Sequence, residues 1–143
     1  MARLTTAILC DFAQVREQLL FVQSGGISRL LRQTLPAPLG FMLALSLEVE
    51  FHERQFVHEI KLTIRDPDGK VILEGTGAVA PLPDMPGIEE GEPVHLPLVH
   101  DLRFVGVASY GLHALDVVLD DEPAAHLVFY VREPAPPVQP ESA

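Results

Sequence analysis

The sequence predicts an all-β domain: a seven- to eight-stranded antiparallel β-sandwich, immunoglobulin-like or C2-like, with at most one short helix. The main evidence is the alternation of apolar and polar residues over 112–119 and 125–131, on both sides of the polar turn 120–123. A similar alternation runs through residues 41–51. Apolar residues make up 48% of the 143-residue chain, which suits one domain around one core.

The N-terminal third is predicted to hold a strand, a short helical turn and a hairpin. Residues 5–10 form the strand, and Asp11 would cap a helical turn over residues 12–15. Gly25 and Gly26 accept positive φ angles, so they are predicted to turn the chain between strands at 19–23 and 27–33.

Three further strands are predicted in the middle of the chain. Asp66-Pro67-Asp68-Gly69 is a strong turn signal between strands at 56–66 and 71–79. Alternation over 94–104 predicts the next strand, and the two alternating patterns place Phe56 and Phe104 on buried faces.

The domain is predicted to span residues 1–133. Residues 80–93 contain four prolines and several acids, which predicts a long mobile loop. Residues 134–143 are predicted to be a disordered, Pro-rich tail, because they offer little that could pack.

The charge balance excludes several classes of partner. Ten basic against twenty acidic residues give a net charge of −10, which argues against nucleic acid as a partner. Apolar runs are too short to cross a membrane, and a single cysteine forms no internal disulfide, so a cytoplasmic location is predicted. Four arginines in residues 1–35, against Asp11 and Glu17, would suit an acidic partner or a second copy.

Catalytic and metal sites are not predicted, and the chain is expected not to be an enzyme and to need no cofactor. The histidines lack zinc-type spacing, and His58 shares its face with apolar residues. Cys10 lies in an apolar strand, where a free cysteine acts as a small hydrophobic residue. A hydrolase would require a histidine, an acid and either Cys10 or a serine to converge in a cleft.

Two binding modes remain open. The first is a non-catalytic protein-binding or assembly module, possibly self-associating, with contacts at the outward-facing His126, Val128 and Tyr130. The alternative is a small-ligand or calcium-dependent binding domain that uses acidic loops. Its candidate ligands are Asp66, Asp68, Asp120 and Asp121, if both loops lie at one end of the sandwich.

The order of short motifs resembles an uncharacterised bacterial family of small β-sandwich proteins, a domain of unknown function. The matching motifs are Cys10-Asp11-x-Ala13, Gly25-Gly26-Ile27, Pro38, Asp66-x-Asp68-Gly69, Tyr110-Gly111 and Phe129-x-Val131. Asp120-Asp121-Glu122-Pro123 stands where such proteins have an Asp-Gly turn, which suggests a longer, looser loop. The resemblance implies a β-sandwich fold and a bacterial source, and it carries no catalytic residue.

Overall fold

The computed structural model describes residues 2–82 and 87–136. Within these ranges the chain forms eleven strands and one single-turn 3-10 helix at Phe51–Glu53. The strands are β1 Arg3–Arg16, β2 Leu19–Gly25, β3 Arg29–Leu31, β4 Ala37–Pro38, β5 Met42–Val49, β6 His58–Arg65, β7 Val71–Val79, β8 Val94–Asp101, β9 Gly106–Val107, β10 Gly111–Leu119 and β11 Glu122–Arg132.

Two main sheets face each other. Sheet A has the strand order β2-β1-β5-β8, sheet B has the order β3-β11-β10-β6-β7, and β4 pairs with β9 in a small third sheet. The prediction of an all-β, sandwich-like fold is confirmed. The expectation of purely antiparallel pairing was wrong, because β3 runs parallel to β11.

The core lies between sheets A and B. Leu43, Leu45 and Leu47 of β5 are fully buried, as the alternation along this strand predicts. Phe41 and Phe129 meet edge to face with their ring centroids 5.1 Å apart. His113 is fully buried and stacks on Phe129 at 5.2 Å. These aromatic contacts join the start of β5 to the central strands of sheet B.

The N-terminal hairpin differs from the prediction. Strand β1 continues to Arg16, so a helical turn over residues 12–15 was wrong. The hairpin turn consists of Glu17 and Gln18, whose φ angles are +51° and +63°. The turn predicted at residues 24–26 is instead the start of a crossing to sheet B, where Gly26 and Ile27 donate to the carbonyl of Leu9.

The β10–β11 hairpin is tighter than predicted. Asp120 and Asp121 alone form its turn, with φ angles of +49° and +63°, so the expectation of a looser loop was wrong. Aspartate tolerates this left-handed conformation better than most residues. The register shifts between Val117 and Val118, and Pro123 lies opposite Val118.

Two aromatic side chains predicted to point inward are exposed. Phe56 precedes β6 and Phe104 follows β8, and their exposed fractions are 62% and 87%. The apolar–polar alternation in the sequence therefore continues past the ends of both strands, where it no longer reports burial. Of the predicted mobile loop, residues 83–86 lie outside the described residues, and so does 137–143 of the predicted tail. The described part of the chain contains no helix long and apolar enough to cross a bilayer.

Candidate protein-binding surfaces

The outer face of sheet B carries the predicted contact residues. His126, Val128 and Tyr130 point outward from β11 because the alternate residues of that strand face the core. Tyr130 lies opposite Leu112 of β10, and both are about 40% exposed, as is Val128. Among the described residues no other element lies over these side chains. The prediction that the three residues point outward is confirmed, whereas their role in binding stays a prediction.

Charged residues of both signs border this apolar row, with one more cation than acid. The outward-facing positions of sheet B include four cations (Arg29, Lys61, Arg65 and Arg132) and three acids (Glu59, Glu74 and Asp116). The face is thus slightly positive on a chain of net charge −10. The guanidinium of Arg132 lies over the Tyr130 ring, 4.6 Å from its centre, so a cation covers one face of this tyrosine.

An open groove crosses the same face beside the apolar row. It has a volume of about 600 Å³, and Lys61, Thr63, Arg65, Asp116 and His126 supply its polar groups. His126 Nδ1 lies 2.5 Å from Asp116 Oδ1, although both side chains are substantially exposed. Lys61 Nζ pairs with Glu74 Oε1 at 3.0 Å. Exposed pairs of this kind contribute little to stability but can fix the orientation of a partner.

The acidic loops do not form a common site. Asp120 bonds to Glu59 at the start of β6, whereas Asp66 follows the last residue of that strand. At about 3.3 Å per residue, β6 separates the two loops by roughly 20 Å. Asp66 Oδ1 accepts the backbone N–H groups of Asp68 and Lys70, so it stabilises its own turn. A single site formed by Asp66, Asp68, Asp120 and Asp121 was therefore wrong.

Asp120 has a structural role at the opposite end of the sheet. His58 is buried, and its Nδ1 lies 2.7 Å from Asp120 Oδ2 while its Nε2 lies 2.9 Å from the carbonyl oxygen of Glu53. Because both neighbours are acceptors, both bonds form when both ring nitrogens carry protons. Asp120 Oδ1 also accepts the backbone N–H of Glu59. This network ties the β10–β11 turn to β6 and to the 3-10 turn.

A second group of carboxylates surrounds the 3-10 turn. Side-chain ligand atoms of Glu50, His52 and Glu53 lie within 4.8 Å of one another. His52 Nε2 is 3.4 Å from Glu50 and 3.7 Å from Glu53, and Glu53 also accepts the backbone N–H of Ala2. We interpret the group as a cluster of polar contacts in which Glu53 holds the start of the chain through the N–H of Ala2.

Cys10 lies apart from the histidine-acid pairs of sheet B. It is fully buried in β1, where its thiol lies 3.6 Å from the carbonyl oxygen of Met42. Burial, and then the charge of Asp11, raises the pKa of this thiol, which disfavours the reactive thiolate. Within residues 2–82 and 87–136, Cys10 belongs to no group of three or more His, Cys, Asp or Glu side chains whose ligand atoms lie within 4.8 Å of one another, so the convergence that a cysteine hydrolase would require is not seen there.

We expect Cys10 to resist thiol-specific labelling in the folded protein. Its burial and raised pKa both slow attack on a disulfide reagent at pH 8. The labelling rate is measured by absorbance with and without denaturant, and the denatured chain should react completely while the native chain stays unlabelled. Labelling of native protein at the rate of denatured protein would contradict the assignment.

A second apolar surface was missed by the sequence analysis. The β1–β2 hairpin exposes Phe12, Val15, Leu19, Phe21 and Val22 by 39% to 60% each. Residues beyond Cys10 of β1 pair with β2 alone, so this part of the hairpin extends past β5. The signal is hidden because Phe12, Val15, Leu19 and Val22 recur at three- and four-residue intervals, as in a helix, and because the true turn contains no glycine.

Comparisons with known proteins give a family but no activity. A protein-family model described as a family of unknown function (DUF6941) matches residues 5–132. The match covers all strands except the first two residues of β1. No curated protein matches the chain.

Proposed function

Since the chain belongs to DUF6941, a family of unknown function, its role must be inferred from its surfaces, and we propose that it is a non-catalytic protein-binding module. The binding surface is the outer face of sheet B, centred on Leu112, Val128 and Tyr130. One observation carries the proposal: a row of half-exposed apolar side chains on two central strands, bordered by arginines.

The composition of this surface fits a protein partner. Tyrosine and arginine are enriched in protein–protein interfaces, where they combine apolar area with hydrogen bonding. Tyr130 is held beside Arg132, and Arg29 lies directly opposite Tyr130 on β3. The central strands are fixed by pairing on both edges, so these anchors are ordered before binding, which lowers the entropic cost of association.

The charge of the surface indicates the chemistry of the partner. A positive face on an acidic chain favours a partner surface that is apolar at its centre and acidic at its rim. The bacterial, cytoplasmic setting and the immunoglobulin-like or C2-like architecture remain predictions from the sequence.

The proposal is tested by quantitative capture from the host lysate with chemical cross-linking. The probe variant is Val128→Glu combined with Tyr130→Glu, which replaces two exposed apolar side chains by charges that repel an acidic rim. The matched control is Phe56→Glu, because Phe56 is 62% exposed outside this face. We expect the wild type and the control to capture at least one protein in similar amounts. The captured amount of this protein should fall at least tenfold with the double variant.

One result would contradict the proposed binding surface. If the double variant retains the native circular dichroism spectrum and captures the same proteins in the same amounts as the wild type, the outer face of sheet B is not the binding surface.

A further inference from the structure

Strand β2 forms an open edge of sheet A. It pairs with β1 on one side, and no described strand pairs with it on the other. Six of its seven residues are exposed. The backbone groups along its outer side are therefore available to another strand.

The sequence of β2 lacks the features that protect edge strands. Edges are commonly guarded by charged residues, prolines or very short strands. Strand β3 is three residues long, β7 contains Glu74, and β8 contains both Pro97 and Asp101. Strand β2 reads Leu-Leu-Phe-Val-Gln-Ser-Gly, with neither charge nor proline. Among the described edge strands of the two main sheets, β2 is the one that is longer than three residues and contains neither a charged residue nor a proline.

The register of the hairpin determines which backbone groups point outward. Arg16 and Leu19 flank the two-residue turn, so they form a hydrogen-bonded pair. Because pair types alternate, Leu19, Phe21 and Gln23 direct their N–H and C=O groups toward β1. The N–H and C=O groups of Leu20, Val22 and Ser24 therefore point to the open side.

We propose that two copies of this chain associate through antiparallel pairing of their β2 strands, with a two-fold axis at Phe21. In this register Val22 lies opposite the partner's Leu20, and Leu20 lies opposite the partner's Val22. Both pairs use the outward-pointing backbone groups and so form four hydrogen bonds. Phe21 lies against the partner's Phe21 in a non-hydrogen-bonded pair, where aromatic side chains stabilise each other.

Charge favours a second copy as the occupant of this edge. Two chains of net charge −10 repel each other over most of their surfaces. The β2 edge carries no charge, and the only ionised residues in 12–25 are Arg16 and Glu17, which cancel. A two-fold pairing of identical strands is also self-complementary, as an isologous interface requires. A strongly charged partner would gain no electrostatic complementarity here.

The proposal is tested by disulfide trapping with Phe21→Cys. Opposed residues of a non-hydrogen-bonded antiparallel pair have Cα atoms about 4.5 Å apart, which is within disulfide range. We expect oxidised glutathione to convert this variant to a covalent dimer at least tenfold faster than the control Phe12→Cys. Phe12 lies on the same hairpin, but its copies would stand three strand spacings apart and four residues out of register, or roughly 20 Å.

Light scattering coupled to size exclusion supplies the second measurement. We expect the wild type to be a concentration-dependent dimer and Val22→Lys to be a monomer, whereas Val71→Lys on the edge strand β7 leaves the dimer intact. A wild type that stays monomeric at millimolar concentration, or equal trapping of Phe21→Cys and Phe12→Cys, would overturn the proposal. Partner capture through sheet B should persist in Val22→Lys, so failure of either proposal is distinguishable from failure of the other.

Discussion

Replacing Phe129 by alanine is expected to lower the free energy of unfolding by about 4 kcal/mol, in the range of large aromatic truncations in protein cores. Phe129 is fully buried and touches both Phe41 and His113. Its removal leaves a cavity between the sheets and deprives His113 of its stacking surface. The change is measured by urea denaturation, followed by circular dichroism.

Two variants check that this effect comes from the core. Phe129→Leu should recover about half of the loss, because most of the apolar volume is kept. Tyr130→Ala, at the neighbouring outward position, should cost less than about 1 kcal/mol, because surface substitutions have small effects. A similar loss in Phe129→Ala and Tyr130→Ala would contradict the division of β11 into an inner and an outer face.

Replacing His58 by alanine is expected to cost about 3 kcal/mol of unfolding free energy. The substitution removes the bond from the buried His58 to the carboxylate of Asp120 and leaves a cavity where the ring lay. A hydrogen bond to a charged group contributes about 1.5–3 kcal/mol, while the carbonyl of Glu53 keeps the N–H of Phe56 as a donor. Asp120→Ala should produce a similar loss, because it removes a bond to His58 and the bond to the Glu59 N–H.

The matched control is His126→Ala. His126 also contacts an aspartate, but this side chain is 63% exposed, so water replaces the lost interaction. We expect its urea midpoint to stay close to that of the wild type. The double variant His58→Ala with Asp120→Ala should lose less than the sum of the single losses, because the two residues share one interaction. Additive losses would show that the two residues do not interact.

The alternation of residue types predicted those strands that have one buried and one exposed face. In β5, β10 and β11 it identified the inward residues and the outward position of Val128 and Tyr130. It could not show that Leu112 lies opposite Tyr130, because the register between strands depends on the turn between them.

Each failed prediction has its own physical cause. Phe12 and Val15 lie on opposite faces of the far half of the β1–β2 hairpin and both are exposed, so the apolar residues there follow no two-residue period. Its turn uses Glu17 and Gln18 at positive φ, where glycine or asparagine is the usual signal. The distance between Asp66 and Asp120 depends on the pairing of β6 with β10, a contact between residues far apart in the chain.

The parallel pairing of β3 with β11 has a consequence for biosynthesis. Residues 29–31 are translated long before residues 130–132, yet each is the other's neighbour in sheet B. During translation β3 has no strand to join until β11 has left the ribosome. Because β11 occupies an interior place in the sheet, we expect sheet B to be completed only after β11 has been translated.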